Sequence, residues 1–136
     1  MAGPLHLGAA DSAVLGRLPR FLQGFLRRHP GVRMDVRTGS SPEILRWVRE
    51  GRCEAGLCML PQAYPGLDLR PLWEDRFVAL TPPGHPLAGR RASLESFAGE
   101  RHIAIHPRTL SFQAITAVFQ QKGLALAPDM TFDTFP

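Results

Sequence analysis

The spacing of apolar residues between Leu5 and Leu60 permits few folds. Leu5–Ala9 is a short apolar run that reads as a buried strand. Val14, Leu15, Leu18, Phe21, Leu22, Phe25 and Leu26 follow at helical spacing and stop before Pro30. Val32, Met34 and Val36 then alternate with Arg33, Asp35 and Arg37, the period-two pattern of a strand. Ile44, Leu45 and Val48 make the apolar side of a second helix that Gly51 ends, and Ala55–Leu60 is a continuous apolar strand. Two strand–helix pairs followed by a third strand is the order of a parallel sheet flanked by helices.

The helix starts are less tightly specified. Asp11 and Ser12 are both suited to cap the first helix. Pro19, inside the first stripe, either kinks that helix or marks where its regular part begins. For the second helix, Ser41 with Pro42 at the first helical position competes with a Ser40–Glu43 capping box.

Beyond the Pro61–Gly66 turn, Leu67–Leu72 and Arg76–Thr81 read as extended segments. Pro82-Pro83-Gly84-His85-Pro86 interrupts regular structure and is the best internal boundary. A second alternation follows: a short helix at Leu94–Phe97, a strand at Ile103–Ile105, a helix over Phe112–Lys122 stopped by Gly123, and a strand at Thr131–Phe135. This reading divides the chain into a first lobe, 1–80, and the start of a second, 81–136. Two readable strands in that second part fall below the usual minimum for independent stability.

Composition narrows the function classes. A chain of 136 residues, 44% hydrophobic and 21% charged, buries a core without a metal or disulfide staple, so neither a metal nor another cofactor is expected. The net charge of +4 comes from arginines scattered among twelve acids, with Lys122 the only lysine; a phosphate-tracking surface needs a clustered stripe. On a strand, Cys53 and Cys58 would face opposite sides, and their spacing matches no common zinc pattern. Both read as packing residues in a reducing compartment. Met1–His6 has no secretory pattern and no stretch approaches a membrane span, so the expected location is cytoplasmic. No Gly-x-Ser-x-Gly, phosphate-loop or His-Glu-x-x-His motif occurs, and His102 and His106 flank a predicted strand instead of sharing a helix face. No catalytic residue is assigned.

Several ordered segments resemble the effector-binding domain of LysR-type transcription regulators. They are Leu5-His6-Leu7-Gly8-Ala9-Ala10, Leu18-Pro19-Arg20-Phe21-Leu22 with Phe25 and His29-Pro30, and Gly51-Arg52-Cys53-Glu54-Ala55-Gly56-Leu57. Leu72-Trp73-Glu74-Asp75 and Gly84-His85-Pro86-Leu87-Ala88 complete the set, the last being the most specific. The resemblance implies a two-lobed α/β fold like the type-2 periplasmic binding proteins, with helix-flanked mixed sheets, two crossover strands and ligand in the cleft. It also implies a winged helix-turn-helix upstream as the only DNA contact, and a homodimer or tetramer. The Gly-Leu-Gly helix and return segment that usually follow are not found, so the fold is expected to be incomplete in this chain. His85, part of the family motif, is expected to shape the lobe junction.

Open α/β sheets bind ligands outside the carboxyl ends of their strands, where helix N-termini attract carboxylates. Asp11-Ser12, Gly39-Ser40-Ser41 and Thr109-Leu110-Ser111 occupy such places. Matched to the family's effector-contact positions, they give Ser12, Ser40, Ser41 and Ser111. Met59, Leu60 and Phe135 are candidates for an apolar wall, and His106 for an anion contact when protonated. Asp11 would repel an anion unless it faces away, which argues against a direct ligand contact. The expected ligand is a small organic anion and the expected activity is regulatory, not enzymatic. A transport-type solute-binding protein of the same fold is the alternative.

Overall fold

In a computed structural model, which describes residues 3–61 and 63–132, the apolar pattern becomes five strands and five helices. They run β1 (Gly3–Ala9), α1 (Asp11–Leu15), α2 (Leu18–Arg28), β2 (Val32–Thr38), α3 (Ser41–Arg49), β3 (Ala55–Leu57), α4 (Leu94–Ala98), β4 (Ile103–Ile105), α5 (Leu110–Gln121) and β5 (Met130–Phe132). They fall into two compact units divided between Leu69 and Arg70. The division precedes the expected boundary at Leu80–Thr81.

In the first unit the strand order is β2-β1-β3. Both pairings are parallel, Leu5 opposite Met34 and Leu7 opposite Ala55. The antiparallel component of a mixed sheet is not found among the described residues. Parallel neighbours need a crossover, and the helices supply it. One sheet face buries Leu7 and Ala9 beneath Leu18 of α2, with Val14, Leu22, Met34, Val36 and Leu57 around them. Ile44 and Trp47 of α3 pack against Gly8 on the other face. Ile44 is fully buried. A Cβ at Gly56 would stand 2.5 Å from Ile44 Cγ2, so only glycine lets α3 lie this close to β3.

The first helical stripe divides in two. The chain leaves α1 at Gly16 and resumes at Leu18, with Pro19 in the first turn of α2, where its missing N–H is not needed. Pro19 therefore marks a beginning and not a kink. The predicted cap at Asp11 or Ser12 is not formed. Ala10 is the N-cap, it makes no side-chain hydrogen bond, and both Asp11 and Ser12 lie within the helix.

The extended segments expected at Leu67–Leu72 and Arg76–Thr81 are not strands. Among the described residues no strand lies between β3 and β4, and Leu72, Phe77, Val78 and Leu80 are all exposed. Apolar side chains alone do not make a strand; a neighbour must accept its backbone hydrogen bonds. The expected face alternation of Cys53 and Cys58 also fails, because they flank β3 instead of lying on it. Both are free, and both adjoin the Ile44–Trp47 cluster.

The second unit repeats the β-α-β logic with β4 parallel to β5 and α5 between them. Phe119 is buried, with Phe97 edge-on at 6.0 Å, and Phe97 in turn stacks on buried His102 at 4.6 Å. The Asp129 carboxylate accepts the His102 backbone N–H at 3.0 Å and the Arg101 Nε–H at 3.2 Å. The Asp129 N–H donates to the His102 carbonyl at 2.9 Å, which ties the start of β5 to β4. His85 braces its own turn: Nδ1 accepts the Leu87 N–H at 3.1 Å, and Nε2 lies 3.7 Å from Glu100.

The α3–sheet contact yields a prediction. Ile44→Ala should lower the unfolding free energy by about 2–5 kcal/mol through cavity formation. Gly56→Ala should cost about 1–3 kcal/mol through overpacking. Urea unfolding followed by circular dichroism measures both; wild-type midpoints in both variants would contradict this packing.

Candidate functional site

Three loops of the first unit are stitched together where the strands end. The Ala10 N–H donates to the Leu57 carbonyl at 2.8 Å, the Gly39 N–H to the Ala9 carbonyl at 3.3 Å, and the Met59 N–H to Ser41 Oγ at 3.2 Å. The sequence order explains the convergence. Strands β1, β2 and β3 are parallel, so the loops leaving them share one edge. The crossovers from β1 and β2 pack on opposite faces, which opens a crevice at the carboxyl ends of such a sheet.

Ser40 is the N-cap of α3 and forms the full capping box with Glu43. The Glu43 carboxylate accepts the Ser40 N–H at 2.9 Å and the Ser40 Oγ–H at 2.6 Å. Of the two competing helix starts, the capping box is the one formed. These bonds, led by the Ser40 hydroxyl, hold the Glu43 carboxyl below its usual value, with Arg46 adding to the effect. An ionised acid therefore already sits at the positive end of α3. Ser41 faces the other way, toward the loop after β3. There burial pushes the Cys58 thiol up, and a hydrogen bond with Ser41 offsets part of that shift. Such a thiol is a poor nucleophile.

Of the sequence-predicted residues, Ser40, Ser41 and Met59 are brought together. Leu60 follows Met59 and is more than one-third exposed, so it is no enclosed wall. Ser12 is exposed, two residues beyond Ala10, in a helix too short to offer a developed N-terminus. Asp11 is exposed too.

In the second unit, His106 lies in the loop leaving β4, and that loop runs into α5. Thr109 caps α5: its Oγ1 accepts the Phe112 N–H at 3.2 Å. The His106 carbonyl accepts the Thr109 N–H at 3.0 Å and its Oγ1–H at 2.9 Å. The ring Nδ1 of His106 accepts the Arg108 N–H at 3.2 Å. Ser111 is thus inside the first turn of α5, not before the helix as predicted, because Thr109 caps and the helix starts two residues earlier. No acid stands in that first turn. Phe135 lies outside the described residues.

One apolar hollow also occurs in the first unit, lined by Leu5, Leu7, Phe21, Leu22, Phe25 and Met34 among others. With no polar lining group to orient a metabolite, it is a poorer candidate than the serine loops. Among the described residues no cluster of histidine, cysteine or acidic side chains is arranged to hold a metal. Sequence reasoning missed the Ser41–Met59 bond, since no spacing rule links positions 41 and 59.

The sequence profile of the LysR substrate binding domain matches residues 1–136. A probable hydrogen peroxide-inducible genes activator from Mycobacterium avium is 37% identical over 87 residues, 64% of this chain and 28% of that protein. The effector binding domain of QuiR in complex with shikimate has a TM-score of 0.88 at 17% identity, covering 98% of this chain and 65% of the other. HinK, a LysR family transcriptional regulator from Pseudomonas aeruginosa, has a TM-score of 0.82 at 24% identity, covering 98% and 47%. The chain spans less than half the length of the curated relatives it matches. The structural likenesses establish a periplasmic-binding-protein-like α/β fold.

The Ser40–Glu43 cap makes a pH prediction. A carboxyl whose folded value is depressed adds stability above its unfolded value and loses it as pH falls through the folded one. Between about pH 5 and about pH 3, the wild type should therefore lose more thermal stability than Glu43→Gln. Parallel melting curves that superimpose after a constant offset would contradict the ionised cap.

Proposed function

Because the chain belongs to the LysR substrate binding domain family, we propose that it senses a small organic effector for a DNA-binding transcription regulator. The observation that carries this reading is the family match across residues 1–136. Its relatives support it: they are a probable hydrogen peroxide-inducible genes activator and the transcriptional activator protein LysR. In this proposal DNA is contacted by a different part of the regulator, which works in the cytoplasm as a homodimer or tetramer. The alternative of a transport-type binding protein has no comparable support among those names.

The proposed ligand bears a carboxylate. In the first unit, Ser41 and Met59 contact it, with Ser40 shaping the loop. The second unit carries a candidate anion contact of its own, proposed separately: the first turn of α5 is an electropositive helix end without an acid, beside His106 and Ser111. The same proposal extends to Ser12 at the rim of the first loop and Phe135 as an apolar contact. A bound effector shifts the regulator's conformational equilibrium only by its difference in affinity for the two states.

Glu43 sets the proposed charge preference. Its carboxylate opposes an anion at α3, so Glu43→Gln should raise affinity for an anionic effector several-fold. Isothermal titration with shikimate, and with its neutral methyl ester, tests the reading. The expected result is heat of binding for the acid, loss of it for the ester, and tighter binding of the acid by Glu43→Gln. Equal binding of acid and ester would contradict the carboxylate reading. A broad panel of small carboxylates giving no heat would count against effector sensing itself.

A further inference from the structure

The loop that carries Ser40 and Ser41 rests on one aromatic ring. Arg37 and Gly39 are two residues apart at the end of β2, and both meet the Trp47 indole. The Arg37 guanidinium lies over the ring, 5.5 Å from its centroid. At Gly39 the backbone itself is against the ring edge. A Cβ there would stand 2.6 Å from Trp47 Cη2 and 3.1 Å from Cζ3, with Glu43 Oε2 at 3.4 Å. Trp47 is buried and packs with fully buried Ile44, so the ring has little room to retreat. Glu43 and Trp47, one turn apart on α3, therefore hold the loop from two sides: the carboxylate bonds Ser40, and the indole carries Gly39.

We infer that Trp47 is the positioning residue of the candidate effector loop: the contact of its indole with Gly39 fixes where Ser40 and Ser41 are presented. The inference deepens the effector reading, since it assigns that loop's shape to a side chain buried beneath it. Trp47 touches no ligand in this account. It acts through Gly39, and the absence of a side chain at Gly39 is the other half of the device.

A steric rescue tests it in the full chain. Gly39→Ala introduces the overlap with the ring edge, and Trp47→Phe removes the outer ring that carries Cη2 and Cζ3. Amide hydrogen exchange is the ligand-free readout. Gly39→Ala should accelerate exchange about ten-fold at residue 39 and Ser40, whose N–H groups donate to the Ala9 carbonyl and the Glu43 carboxylate, while Leu45 and Val48 inside α3 keep their protection. Combining it with Trp47→Phe should restore the slow rates, which a general loss of packing cannot do. A shikimate titration of the same four proteins should follow the same pattern, with affinity lost in Gly39→Ala and regained in the pair. Unchanged exchange in Gly39→Ala, or a double variant no better than Gly39→Ala, overturns the inference. If exchange follows the rescue pattern while no variant, wild type included, binds shikimate, the positioning role stands and the choice of ligand fails.

Discussion

The first unit depends on the hydrogen bonding of β1. As the central strand of three it presents N–H and C=O groups on both sides, and an unpaired buried group is costly. Strands β2 and β3 satisfy those groups in parallel register. Parallel pairing forces each connection to travel the length of the sheet, which is why helices intervene and why the loops leaving the strands gather at one edge. The candidate site is a consequence of that backbone arithmetic before any side chain is considered. Gly8 and Gly56 then let α3 settle against the sheet, and Ile44 fills the space their missing side chains leave.

The two serine loops differ in electrostatic character. At α3 the helix end is already served by its own residues: Ser40 and Glu43 satisfy one another, Pro42 has no N–H to offer, and the acid is ionised. At α5 the cap is a neutral threonine, the first turn has no acid, and Arg108 and His106 are adjacent. The first loop is therefore suited to recognise shape and hydrogen-bonding groups, and the second to meet negative charge.

Periodicity made most of the secondary structure readable. The stripe ending at Leu26, the Val32–Arg37 alternation and the strand at Ile103–Ile105 each report a half-buried element. The failures have physical causes. Residues 67–81 carry strand-like side chains but no partner strand among the described residues. Asp11 and Ser12 have cap chemistry, yet Ala10 precedes them as the cap. Thr109, not the residue before Phe112, starts α5. Of the candidate site, Ser40 was legible because Ser-x-x-Glu states its own geometry. The union of Ser41 with Met59, and of Gly39 with Trp47, was not, because tertiary contacts between distant positions leave no local pattern.

In the proposed reading, an effector is recognised in the first unit by the loops leaving β1, β2 and β3. Backbone amide chemical-shift mapping during titration with small carboxylates, shikimate first, tests it most directly. The largest shifts are expected at residues 39–41 and at Met59. Shifts centred instead on Phe21 and Phe25, at the apolar hollow beside α2, would contradict it.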